Sequence, residues 1–178
     1  NHEWWDEENC FADLGTIPAE EVTEYSGGRL RDVRVHVLVN RHVVENDIAL
    51  VVGPVLPHEV VGMSGGNKYF FPGLSGHDVI DLSHWVGALI SSFEIIGTLG
   101  ITPVRSLINA AADRIPSEKL CIAVVTEAGA PELHSVSVGT TVSAWAAASP
   151  IAAASHITYL DRTYKRVLSI LPTMYDDI

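Results

Sequence analysis

Within 27 residues, from His58 to His84, the sequence collects an imidazole, a glycine-rich turn, an amine and a second imidazole. The run is Pro57-His58-Glu59-Val60-Val61-Gly62-Met63-Ser64-Gly65-Gly66-Asn67-Lys68, followed by Pro72-Gly73 and then His84. Core segments are filled by Val, Ile and Leu, whereas polar residues gathered beside glycines are more typical of binding and catalytic loops. His58 follows Pro57, whose ring fixes its own φ and restricts Leu56 before it, so the loop is entered stiffly. A histidine there titrates near neutrality and can move protons in either direction. Gly62 to Lys68 offers backbone amides that can turn toward an anion, plus one ammonium, which are the ingredients of a phosphate cradle. It is not a Walker A loop, because Tyr69 follows Lys68 where Ser or Thr would stand. A lysine at such a turn can also be a covalent attachment point, since a buried amine loses its proton readily.

Each of these pieces also has a plainer reading. A lone loop histidine is more often a surface residue with one hydrogen bond, and a glycine turn with a solvated lysine is as common as a ligand loop. His84, in Asp81-Leu82-Ser83-His84-Trp85, is a weak metal signal, because protein metal sites use three or four protein ligands. No Cys/His/Asp set of recognisable spacing stands beside it. A metal there makes sense only if a cofactor brings the other ligands. His42 and His77 stand in no pattern and read as structural.

The elements that must position these residues follow from periodicity. Val33 to Val39 alternates like a half-buried strand, and Asn40-Arg41-His42 reads as a turn. Asp47 to Gly53 is a short apolar run that reads as a fully buried, parallel strand. In open α/β sheets ligands collect beyond the carboxyl ends of strands, which is where His58 to Lys68 would fall. Residues 77–96 read as mostly helical. A helix over Pro103 to Ala112 is opened by its proline after a Thr102 cap. Leu120 to Thr126 reads as a second buried strand, with Leu133 to Val138 as its hairpin partner across a turn at Gly129 to Glu132. The alanine-rich stretch from Thr140 to Ala154 predicts a helix up to Pro150. His156 to Leu160 reads as a strand, and the remainder as helical or irregular. The first 32 residues are polar and acidic, with a turn at Gly27-Gly28.

The chain has 178 residues, 47% hydrophobic and 19% charged, enough to build a core and too apolar for disorder. Its net charge of −11 makes it a poor general binder of nucleic acid or of anionic membrane. No apolar run is long enough to span a bilayer. Cys10 and Cys121 are far apart and fit no zinc or redox spacing, so both read as ordinary thiols in a reducing compartment, the cytoplasm. The start at Asn1 and the end at Ile178 carry no natural initiator, signal peptide or stop, and read as cuts within a longer product.

Taken together, Pro-His, then Gly-x-Ser-Gly-Gly-x-Lys, then Pro-Gly, then His resembles the signature of the nickel-pincer lactate racemases. His58 and Lys68 stand ten residues apart, and Lys68 and His84 sixteen. Val39-Asn40-Arg41, the strand to Gly53, and Pro103-Val104-Arg105 are similar to family segments too. The resemblance implies an α/β fold, a three-layer αβα arrangement with a mostly parallel sheet, in part of a two-domain chain. Residues 1–150 would be the second half of the cofactor-bearing domain, and residues 151–178 the start of the next. It implies that Lys68 holds a nickel-pincer nucleotide covalently and that His84 completes nickel coordination otherwise supplied by two sulfurs and a carbon of the cofactor. His58 would be one of two histidines exchanging a proton with the hydroxyl of a 2-hydroxy acid, and Ser64, Gly65 and Gly66 would shape the cofactor's bed. The second histidine, the phosphate-binding elements and a substrate-contacting lysine would lie outside the chain, so that the chain alone would be inactive. Partners would be the small-molecule substrate and the enzymes that make the cofactor. Against this isomerase stands a non-catalytic ligand- or metal-binding domain of the same fold.

Overall fold

The computed structural model describes residues 2–130 and 132–168. Its centre is a three-stranded sheet in the order β3-β6-β7, where β3 is Ile48–Pro54, β6 Glu118–Thr126 and β7 Leu133–Thr140. β3 runs parallel to β6 with Val51 opposite Cys121, and β6 turns back into β7 with Cys121 opposite Gly139. The α/β class and the parallel β3 stand as expected. Parallel pairing does not extend further among the described residues: β6 and β7 are joined by a short turn with Gly129 at φ +75°, and a short turn can only return a strand antiparallel. β1 (Phe11–Ile17) and β2 (Val35–Asn40) form a separate antiparallel pair, as do the two-residue strands β4 (Pro57–His58) and β5 (Gly62–Met63).

One face of the main sheet is covered. Val51, Cys121, Ala123 and Val125 are buried on it, and α7 (Thr141–His156) contributes buried Ala144, Trp145, Ala148 and Ala152. Small residues let helix and sheet approach closely; a Cβ at Gly139 would stand 2.5 Å from the Ser143 hydroxyl. The opposite face is open, so the expectation of a fully buried β3 and of three layers is corrected. Ile48, Leu50 and Val52 of β3 and Val136 and Val138 of β7 are all exposed, and the described residues supply two layers. A wholly apolar run does not say whether both of its faces are covered; only the layers do.

Shorter elements also depart from periodicity. β1 escapes it because a bulge between Asp13 and Thr16 breaks the alternation; Gly15 turns there at φ +81°, with its N–H on the Asp13 carboxylate. α1 (Glu7–Cys10) precedes β1, and α2 (Ala19–Tyr25) carries Glu20 and Glu21 in its first turn, which suits the helix dipole. The expected turn at Asn40 is the cap of a short helix, α3 (Arg41–Glu45): the Asn40 side chain accepts from the His42 N–H. Pro150 does not end α7. Burial of Ala148 and Ala152 on the sheet holds the helix through it, and it runs on to His156, leaving 157–160 without strand structure. The expectation for residues 169–178 lies outside the described residues.

Candidate functional site

β3 delivers the chain to Leu56, where β4 and β5 make a tight hairpin carrying His58 at its tip. Ser64 closes its base, with its N–H on the Leu56 carbonyl (2.8 Å) and its hydroxyl accepting from the Leu56 N–H (2.9 Å). Gly62 sits at φ +90°, and a Cβ there would stand 2.7 Å from the Thr98 carbonyl. Thr102 ties the hairpin to α6 (Pro103–Ala112): its hydroxyl donates to the Val61 carbonyl and caps the helix by accepting from the Arg105 N–H.

The glycine turn follows. Gly65 (φ +84°) lies against Val55 and Gly66 (φ +59°) against α7, where a Cβ would meet the Thr141 carbonyl at 2.8 Å and Trp145 Cβ at 2.9 Å. Residues Gly66–Tyr69 then form one turn of 3₁₀ helix bearing Lys68. Buried Asn67 pins this turn from beneath, donating to Asn109 Oδ1 (3.1 Å) and accepting from the Thr141 hydroxyl (2.6 Å). The amides of Ser64 and Lys68 bond within the hairpin and loop, to Leu56 and Gly65, and the Gly66 N–H is turned to the Cys121 thiol. The expected amide cradle is therefore largely spent on the loop's own fold. A cleft of about 200 Å³ remains beside Pro54, Ser64, Gly65, Lys68, Tyr69 and Gly73.

His84 comes from α4 (His77–Ile90). Val79, Ser83, Val86 and Gly87 form its buried stripe, and Gly87 allows contact with Val60 of the His58 loop, where a Cβ would stand 2.9 Å from Val60 Cγ1. That contact brings α4 alongside the hairpin. His84 lies on the outward face, in an open basin of about 640 Å³ with Asp81, Trp85, Ala88 and Leu89. α5 (Ser92–Ile95) continues the exposed side.

His58 senses the other two polar groups. Burial is the main cause holding His58 below its ordinary pKa, with the charges of Lys68, His84 and Arg105 acting the same way and Glu59 opposing. Lys68 is held below the ordinary lysine value by burial first and by Arg105 next, again against Glu59. His58 Nδ1 accepts from the Val60 N–H at 3.1 Å, which suits a neutral ring with its proton on Nε2, and Glu59 Oε2 stands 3.6 Å from Nδ1, beyond hydrogen-bond reach. His84 Nδ1 is 2.7 Å from the Ile80 carbonyl. A neutral ring that donates there leaves the Nε2 lone pair free, the state in which histidines bind metals. No group of three or more His, Cys, Asp or Glu that could hold a metal occurs among the described residues. A metal at His84 therefore has to arrive with ligands of its own.

Another cleft, about 540 Å³, lies between β3 and the segments around Val43 and Phe70, and contains none of His58, Lys68 and His84. It borders the uncovered strand β3, and its lining is mostly apolar side chains.

Residues 25–95 match the lactate racemase N-terminal domain. Over this segment the chain is similar to that domain. His58, Ser64, Gly65, Gly66, Lys68 and His84 all fall inside it. A crystal structure of a Thermotoga maritima protein superposes over 98% of this chain and 43% of its own, with a TM-score of 0.85 and 28% identity. The lactate racemase apoprotein from Thermoanaerobacterium thermosaccharolyticum shares the fold over 81% of this chain and 30% of its own, with a TM-score of 0.63 and 23% identity. The chain spans less than half the length of either. No curated protein matches it. Among the described residues no helix is long and apolar enough to cross a membrane.

Arg105 is the site neighbour to which sequence reasoning gave no role. The signal was there: it is a lone arginine on the otherwise apolar face of α6, among Val104, Leu107, Ile108 and Ala111, with no acid one helical turn away.

Proposed function

We propose that the chain is the cofactor-bearing part of a lactate racemase-like isomerase that inverts the carbon of a 2-hydroxy acid with a nickel-pincer nucleotide. The observation that carries this reading is the placement of His58 on a hairpin, a half-buried Lys68 on the glycine turn that follows it, and His84 on the helix packed against that hairpin. The residues fit the group. Lys68 would hold it covalently, since a link needs the neutral amine that burial favours. His84 would give Nε2 to nickel, whose soft, near-planar field needs one imidazole when the cofactor supplies the rest. Ser64, Gly65 and Gly66 would form the bed. When bound, the group supplies a carbon able to take up and return the substrate's hydride.

His58 would manage the hydroxyl proton. With Nδ1 accepting from the Val60 N–H, its Nε2–H is a donor that gives a proton; taking one would need the other tautomer, its Nδ1 proton turned toward the Glu59 carboxylate. Racemisation needs both acts, because the reaction runs in both directions through the same group. Two buried, unpaired thiols, Cys10 and Cys121, fit a reducing compartment such as the cytoplasm.

The test is to co-express the chain with the cofactor-making enzymes and read intact mass and nickel content. The expected result is one added nucleotide on the Lys68 peptide and about one nickel per chain. Lys68→Ala should lose both, and His84→Ala should keep the added mass but release nickel. An unmodified mass without nickel, in a host that loads a control racemase, would overturn the reading in favour of a non-catalytic binding domain.

A further inference from the structure

Arg105 is 1% exposed, and no carboxylate offsets its charge among the described residues. One guanidinium nitrogen donates to the Gly65 carbonyl at 2.9 Å and another to the Met63 carbonyl, while Nε has no partner. The plane rests on Trp145, 4.4 Å from the ring centroid. Burying a cation without a counter-ion is costly, and packing alone would be met more cheaply by an apolar residue. Two features suit an arginine here. Its rigid fork can hold two carbonyls that flank Ser64, which a lysine's single ammonium cannot do in the same geometry. Its charge, unneutralised and in a low-dielectric setting, reaches the ends of the loop that carries Lys68.

We propose that Arg105 is a positioning residue for Lys68: it fixes the Met63–Gly65 turn through two carbonyls and sets a positive field that makes the Lys68 amine a better nucleophile. The inference rests on the reading of Lys68 as an attachment point, but it concerns the bare amine and can fail independently of cofactor loading. The charged and titratable groups around Lys68 are Arg105 from α6 and His58 and Glu59 from the hairpin. α7 presents Thr141 and Trp145, neither of them charged. Arg105 favours the neutral amine, as does burial, and Glu59 opposes both. Removing Arg105 therefore leaves Glu59 to stabilise the ammonium.

The experiment acylates the chain with a succinimidyl ester, which reacts with neutral amines and releases N-hydroxysuccinimide. Mass spectrometry follows Lys68, Lys119 and Lys165 separately as pH is raised. In the unaltered chain Lys68 should reach its half-maximal rate at a lower pH than Lys119. Arg105→Met, checked for folding by Trp fluorescence and circular dichroism, should move the Lys68 midpoint upward and slow its acylation several-fold at pH 8, leaving Lys119 unchanged. A folded Arg105→Met with an unmoved Lys68 midpoint would reduce Arg105 to a structural strut and overturn the proposal. Where that variant does not fold, a Lys68 midpoint in the unaltered chain no lower than that of Lys119 overturns it equally.

Discussion

Lys68 stands in surroundings unlike those of His84. Beneath Lys68, α6 and α7 close on the glycine turn through Arg105, Asn67, Thr141 and Trp145, all buried and nearly all hydrogen-bonded. By contrast, α4 and α5, beside the His58 hairpin, carry His84 on an outward face where Trp85 is 63% and Phe93 94% exposed. The same small site thus has one wall set in place by a polar network and one wall left open. The closed side limits how far the lysine can wander, so an attached group would be held at its root. The open side leaves the His84 Nε2 accessible, so whatever completes the site can approach from there. Rigid attachment and free access are separate demands, and the fold meets them with different elements.

That contrast can be broken from the closed side first. Gly66→Ala forces a side chain into the left-handed region, at roughly 1–2 kcal/mol, and overpacks it against Thr141 and Trp145, at roughly 1–3 kcal/mol. Denaturant unfolding should record a loss of about 2–5 kcal/mol; a variant as stable as the parent would mean that the turn is not clamped. Thr141→Val keeps the shape but strands the Asn67 acceptor, and the same measurement should fall by about 1–3 kcal/mol. At the other extreme, Phe93→Ser on the open side should move stability by no more than about 0.5 kcal/mol. A large effect there would show that the α5 face is packed against something in solution and is not open at all.

Much of this was legible before any coordinates. Helix α6 announces itself through Thr102 and Pro103, and β6 and β7 through an apolar run, a glycine turn and an alternating partner. The local settings of His58, Lys68 and His84 were legible, because a loop, a turn and the middle of a helix are places that sequence can locate. What the sequence hid was the support. Asn67 looks like any loop asparagine until Asn109 and Thr141, 42 and 74 residues further on, close upon it. The conformation of the glycine turn was hidden for a related reason: its glycines admit several conformations, and the one adopted is chosen by α6 and α7, far along the chain. β1 was lost to a bulge, and the open face of β3 was invisible because a run of Ile, Leu and Val reads alike whether one or both of its faces are covered.

That open face has a colloidal consequence. Ile48, Leu50, Val52, Val136 and Val138 form an apolar, strand-built surface, the kind on which like molecules stick. The net charge of −11 opposes such encounters by mutual repulsion. The two forces answer oppositely to ionic strength: at about 1 M salt the Debye length shrinks to roughly 3 Å, while salting-out anions such as sulfate strengthen apolar contact. The 178-residue chain is therefore a protein whose dispersal in water depends on its acids, and dilute buffer rather than concentrated salt is the medium that keeps its molecules apart.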